Sequence, residues 1–508
     1  MDALGIDIGT TNVKVVLVGE DGTTRHAAHR PLTWQREGKV AEQDASALWD
    51  AVLGALADLA AIAGPAMGAV GAVGLCGQYS SIVPVDAAGL PLAPMRLYFD
   101  QRGTGHCFAI LGRHEEAFLT WIDRHPIPPV GGGLALGHLL AFQLDEPALH
   151  QRTATYLEPV DYVTRRLTGA VTATQGTMFM SQLIDNRTLG ATAYDDELVA
   201  MAGVDPTRLP PLVPVGSVVG TVLPTVAEAV GLPADVPVFT GMTDSCAGAH
   251  ATGADVDGRV GVAIGTTGVV LSAVDALGMD MDHEVLAMPG LRTDRYLVSA
   301  ENGIAGRAVE HVLTHLVHAT DALGDHGAAD PFAGFDAALA ASPAGARGVR
   351  FLPWLSGSMS PQADPSVRGG FVGVSLDSER VDLVRAAAEG VAHNLRWLLG
   401  PVEAFTGHVS DEVVLTGGAA RSPAWSQVLA DVLQRPVRTL AEPGHAGARA
   451  AAGWALDQRG HGGGEWIRFD RTHEPDPATA DVHAHAQSQF TAAFDALRPL
   501  GLGSVAPA

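Results

Sequence analysis

The chain has 508 residues, too many for one hydrophobic core, so two large domains or three smaller ones are expected. Hydrophobic residues make up 47% and charged residues 17%, which excludes a disordered polymer. The net charge of −24 argues against nucleic acid or an anionic membrane as partner; a polyphosphate ligand would need local positive groups set against that field.

The N-terminus runs straight into a strand-like segment without a basic leader, and no apolar run reaches bilayer-spanning length free of Gly, Pro or charge. Cys76, Cys107 and Cys246 are scattered, the pattern of reduced thiols in a cytoplasmic protein. Residues 3–8 and 13–17 are strand-like runs separated by a Gly-Thr-Thr turn, and Glu20-Asp21-Gly22 turns into a third. Helical spacing over 45–62 puts Leu48, Val52, Leu56 and Leu59 on one face, with Asp44 or Ser46 as cap. Strands are expected near 70–76, 82–85 and 95–99. The middle, 105–230, reads mostly as helices broken by Gly and Pro at 125–133 and 209–216. A strand at 236–240 restarts the opening pattern. A small-residue helix to 252, a strand at 259–264 and a second Gly-Thr-Thr turn follow. Beyond these come a long helix over 378–404, a strand at 411–416, helices at about 422–434 and 446–458, and a last helix over about 478–498.

The opening GIDIGTTNV (5–13) returns as GVAIGTTGV (261–269), six of nine letters matched, with Asp7 replaced by Ala263. Two halves that begin alike imply a duplicated domain with a cleft between the copies, the boundary falling near 235–245. A Gly-Thr-Thr tip exposes backbone N–H groups and two hydroxyls, donors suited to phosphate oxygens. Two tips across a cleft would hold a polyphosphate from both sides, and one carboxylate, Asp7, would serve a Mg²⁺ that keeps most of its waters. Lys14, one of only two lysines in the chain, can reach back to a phosphate as a point charge. The alternative is a pair of ordinary tight hairpins.

Three further pieces carry chemistry. In VVLTGGAARS (413–422) glycines let the backbone approach a flat or charged ligand, although strand–Gly-Gly–helix junctions are frequent, and Ser422 can cap the helix that follows. In GMTDSCAGAH (241–250) Asp244 stands where a strand meets a helix. It can accept a proton from a substrate hydroxyl or simply cap the helix. In LYFDQRG (97–103) Asp100 and Arg102 can hydrogen-bond a polyol or form a surface ion pair. His473, His483 and His485 lack metal-site spacing and read as a solvated helix face.

These pieces, in this order, resemble the FGGY family of carbohydrate kinases within the actin/hexokinase/Hsp70-like ATPase fold. The likeness runs through GIDIGTTNVK (5–14), GLCGQYSS (74–81), LYFDQR (97–102), DYVTRRLTG (161–169), GMTDSCAG (241–248), AIGTTG (263–268), FLPWLSG (351–357), RGGFVGVSLDSERVDLVRAAAEG (368–390) and TGGAARSPAWSQVLADVLQRPV (416–437). It implies an α/β fold of two ribonuclease-H-like domains, 1–240 and 241–508, around a central cleft. It implies a small-molecule sugar and ATP as ligands, Mg²⁺ as cofactor, and leaves a homodimer open. By the same resemblance Asp7 would organise Mg²⁺ and phosphates. Thr10, Thr11 and Lys14 would form the first phosphate loop, and Gly265, Thr266 and Thr267 the second. Gly417, Gly418 and Ala419 would line the adenosine site, and Gln78, Tyr79, Asp100 and Arg102 would lie near the sugar. Asp244 would be the general base on the attacking hydroxyl. The sugar-handling parts depart from the family: Ser80 stands where a GQMHG-like stretch has histidine, Ser245 where asparagine is common, and Tyr98-Phe99-Asp100 where WND is usual. A xylulokinase-like enzyme acting on a ketopentose such as D-xylulose is expected, with ribulose, erythritol, gluconate or a deoxy sugar as alternatives. A non-catalytic sugar or nucleotide sensor would lack the base or a phosphate loop, and neither is missing. A chaperone-like ATPase would carry a peptide-binding β-domain after the second lobe, where this chain ends in an apparent helix.

Overall fold

The strand Asp2–Ile8 folds back on Asn12–Gly19, pairing Asp7 with Lys14 and Ile8 with Val13. Alternation of the pleat sends Leu4, Ile6 and Ile8 into one apolar layer, with Leu48, Val52, Leu56 and Leu59 of the helix Ala45–Ala63 in the same cluster. Asp44 caps that helix, its side chain accepting from Ser46 and Ala47. With its following turn the stretch Ala45–Ala69 is, by length and composition, long and apolar enough to cross a membrane, although Asp50, Gly54, Asp58, Gly64 and Pro65 interrupt it; in this fold its apolar face is packed into the first layer. The computed structural model describes residues 1–461 and 467–503.

Around the hairpin a 7-stranded sheet forms. Thr24–Pro31 extends one side, and Val70–Gly77 runs parallel to Asp2–Ile8 on the other, bringing Ile8 level with Gly77. Met242–Thr243 then joins Val70–Gly77 in parallel, with Thr243 level with Gly77. Three strand ends are thereby gathered at one edge, the usual place for a ligand site in α/β sheets.

The second half repeats the plan in an 8-stranded sheet. Val260–Ile264 pairs with Thr267–Val274, and Val413–Gly417 runs parallel alongside, with Ile264 level with Gly417. The 27-residue helix Arg380–Thr406 and the helix Pro423–Leu433 cover one face through Val384, Val391, Leu395, Trp425 and Leu429. The middle of the chain is largely short helices, among them Thr104–Arg113, Ala135–Asp145 and Pro159–Thr168. Trp121, Leu139, Phe142 and Leu183 give that region an apolar cluster of its own.

One helix crosses between the halves. Ala446–Gln458 packs on the other face of the first sheet, where Ala448, Ala452 and Ala455 join Ala3, Val16, Val18 and Ala72. The reading of His473 and His483 as solvated is overturned. His473 ends a strand paired with Val437, and His483 is fully buried against His393, because the last helix, Ala480–Leu497, inserts Phe490 and Phe494 beside Trp354. His485 is exposed.

Candidate active site

The two Gly-Thr-Thr turns share letters but close differently. In the first, the Gly9 N–H donates to the Asn12 carbonyl; in the second, the Gly265 N–H donates to the Thr267 carbonyl, both at 3.0 Å. The second loop is one residue tighter. Each tip is pinned from behind. The Thr10 hydroxyl donates to Gln78 Oε1 at 3.1 Å, and Gln43 Nε2 donates to the Thr10 carbonyl at 2.9 Å. The carbonyls of Gly265 and Thr266 accept from Gly306 and Ala305 at 3.0 Å. A Cβ on Gly306 would come 2.2 Å from the Gly265 oxygen, so the head of helix Gly306–Val312 rests directly on the tip.

Two cavities open on these tips. The larger, about 570 Å³, has Gly265, Thr266, Gly418, Ala419 and Trp425 in its wall. Gly417 lies just behind, at φ +85°, where a Cβ would come 2.4 Å from the Ile264 oxygen; only glycine fits there. The smaller, about 410 Å³, has Thr10 of the first tip and Thr267 of the second in one wall system with Gln78, Tyr79 and Asp244. Asp7, Thr11 and Lys14 line neither cavity. Asp7 sits on the strand just before the first tip, opposite Lys14 and beside Cys76 and Gly447 at the start of the helix Ala446–Gln458. Burial raises the Asp7 carboxyl, with the Lys14 ammonium and a hydrogen bond from Cys76 acting against it. Among the described residues no group of three His, Cys, Asp or Glu could enclose a metal by itself. The single half-buried carboxylate of Asp7 fits a Mg²⁺ otherwise held by phosphate oxygens and water.

Asp244 opens the helix Asp244–Thr252, but Thr243 is the cap: its side chain accepts from Cys246 at 3.2 Å, while Asp244 Oδ1 accepts from Ser245 at 2.8 Å. The Asp244 carboxylate is therefore free to face the cavity. Its side chain is exposed there, with protein packed closely around it. That burial, with Asp7 and Glu301 nearby, pushes its pKa up to about 7 against the Ser245 N–H. Burial, and then Asp244, also raise the Tyr79 phenol.

Asp100 and Arg102 do not line the cavity; their neighbours Tyr98 and Gln101 do. The Asp100 carboxylate is fully buried and accepts from the Ala41 N–H at 2.8 Å and from Arg102, which also reaches Glu42 at 2.6 Å. The pair ties the 97–103 loop to the strand Val40–Gln43, and it is not a surface pair. Sequence reasoning missed Glu301, Ser299 and the Gly131–Gly133 run in the smaller cavity, and Arg307, Phe332 and Phe335 in the larger. The glycine run was visible as a break; Glu301 carried no signal, because only the pairing of its strand, Val269 opposite Glu301, brings it to the site.

Twin hairpins set at the strand ends of two duplicated sheets, with a cleft carboxylate between them, define a two-lobed α/β phosphotransferase of the actin-like ATPase type. Residues 3–250 match the FGGY family of carbohydrate kinases, N-terminal domain, and residues 261–456 match its C-terminal domain; the chain belongs to this family. It is 25% identical to a xylulose kinase of Staphylococcus epidermidis over 98% of this chain and 97% of that one. It is 24% identical to a gluconokinase of Bacillus subtilis over 85% and 83%. The solved xylulose kinase of Rhodospirillum rubrum superposes with a TM-score of 0.83 at 28% identity, covering 99% of this chain and 100% of that one.

Proposed function

We propose that this kinase transfers the γ-phosphate of ATP to a hydroxyl of a small sugar, with a ketopentose such as D-xylulose the leading substrate. The observation that carries this reading is the meeting of Thr10, Thr267 and Asp244 around one cavity. Phosphoryl transfer asks the protein mainly for in-line positioning and charge neutralisation, plus a group that takes the hydroxyl proton. The nucleotide would lie in the larger cavity, its adenosine along Gly417, Gly418 and Ala419 and its tail toward Gly265 and Thr266. Thr10, Thr11, Thr267 and Lys14 would grip the phosphates from both lobes. Asp7 would hold a Mg²⁺, which supplies charge neutralisation to the phosphates when bound. The sugar would lie against Gln78 and Tyr79, with Asp100 and Arg102 positioning the loop that carries Tyr98 and Gln101. Asp244, raised to about 7, is matched to accept a proton near neutral pH.

The test is an ADP-release screen over pentuloses, hexuloses, polyols and aldonates, repeated with Asp244→Asn. Phosphorylation of one sugar is expected, falling by about 10²–10⁴-fold in the variant while ATP binding persists. A variant with wild-type turnover, or ATP binding without phosphorylation of any sugar or polyol, would overturn the reading.

A further inference from the structure

The smaller cavity has a one-sided charge. Its ionisable walls include two carboxylates, Asp244 and Glu301, and among the described residues no lysine, arginine or histidine lines it. The nearest loop arginine, Arg102, is committed to Asp100 and Glu42 behind the wall. The rest of the polar lining is hydroxyl and amide, Gln78, Tyr98, Gln101, Ser245 and Ser299 among it. Glu301 comes from the strand Tyr296–Ile304, opposite Val269 and next to the second tip; its side chain is exposed into the cavity, and its carboxyl is raised by burial.

Resting on the kinase reading above, we propose that this site selects neutral polyhydroxylated substrates and rejects aldonates, and that Glu301 is the specificity-determining residue. Asp244 is committed to the hydroxyl that attacks phosphate. Glu301 then accepts hydrogen bonds from hydroxyls elsewhere on the sugar, a charge-assisted contact available to a ketose or alditol. A substrate carboxylate placed in the same chamber would meet two acidic side chains and no cationic side chain in the wall, a repulsion that the enclosed walls strengthen. Between xylulose and gluconate, both named among this chain's relatives, the charge of the wall fits the neutral one.

The test has a kinetic and a binding arm. Wild-type kcat/KM for the preferred neutral sugar should exceed that for gluconate by at least about 100-fold. Glu301→Gln keeps size and removes the charge. It should lower kcat/KM for the neutral sugar by about 10- to 100-fold, the loss of one hydrogen bond to a charged group, while gluconate stays level or improves, so the preference narrows. Calorimetric titration of the unreacted protein with xylulose, an alditol and gluconate reads the charge selection without turnover. A protein that binds neutral polyols but phosphorylates nothing would sink the kinase reading and leave the selectivity standing. Gluconate bound or turned over as well as the neutral sugars, no neutral polyol bound at all, or an unchanged preference in Glu301→Gln would overturn this inference.

Discussion

Gly74 of the first sheet lies directly beneath the backbone carbonyl of Ala451: a Cβ there would come 1.9 Å from that oxygen. Gly5 on the neighbouring strand meets the Ala448 carbonyl in the same way, at 1.8 Å. Backbone rests on backbone, so no rotamer change can make room. Gly74→Ala should push the helix Ala446–Gln458 off the sheet and cost more than the about 1–3 kcal/mol of ordinary overpacking. Denaturant unfolding measures it, and Gly265→Ala, whose Cβ would meet nothing within 4 Å, is the control expected to stay near wild type. Equal stability of Gly74→Ala and wild type would contradict the contact.

The pH profile follows from the proposed role of Asp244 as base. A general base works only when ionised, and here the proton is lost near pH 7 rather than near the ordinary 3.8. Sugar kcat/KM at saturating nucleotide should therefore rise with pH through about 7 and level off above it. Since Glu301 contributes to raising Asp244, Glu301→Gln should move this limb to lower pH. A profile flat from about pH 5 to 9 would remove Asp244 as the base.

Stability has its own pH signature at Asp161, on the helix Pro159–Thr168. The side chain is buried, one oxygen has no hydrogen-bond partner, and burial pushes its pKa up to about 8 against a bond from Thr177. The folded state holds this proton more tightly than the unfolded chain does. Its contribution is complete below about pH 4 and is lost as pH rises through 8. Asp161→Asn keeps the shape without the titration. Its melting temperature relative to wild type should rise between about pH 4 and 8 and level off above, and parallel curves would refute the assignment.

The Asp100–Arg102 pair gives a fourth prediction. Arg102→Met leaves a fully buried carboxylate short of its charged partner and should destabilise by about 3 kcal/mol. The double variant Asp100→Asn, Arg102→Met should recover most of that loss, as a cycle of urea unfolding curves would reveal. A single variant no less stable than wild type would reduce the pair to decoration.

Much of this was legible because it is local. Alternating apolar residues around Gly-Thr-Thr announce both hairpins, and the span 446–458 was read correctly as a helix. What stayed hidden depends on distant partners. Nothing in the Ala-rich run 446–458 says that it leaves its own half to cover Gly5 and Gly74. Thr243 takes the capping role because Met242 and Thr243 pair with Cys76 and Gly77, and so releases Asp244. His483 looked solvated because it is buried against His393, far away in sequence. Glu301 is one carboxylate on an unremarkable strand until Val269 fixes its register.

The second hairpin tip has a neighbour on each side: Thr266 belongs to the larger chamber and Thr267 to the smaller. A molecule that shifted this tip in one chamber would move a wall of the other. Thermodynamic linkage then makes the influence mutual: whatever factor the nucleotide applies to sugar affinity, the sugar must return to nucleotide affinity. The peptide joining Thr266 to Thr267 is common to both linings, and through it each proposed guest would feel the arrival of the other.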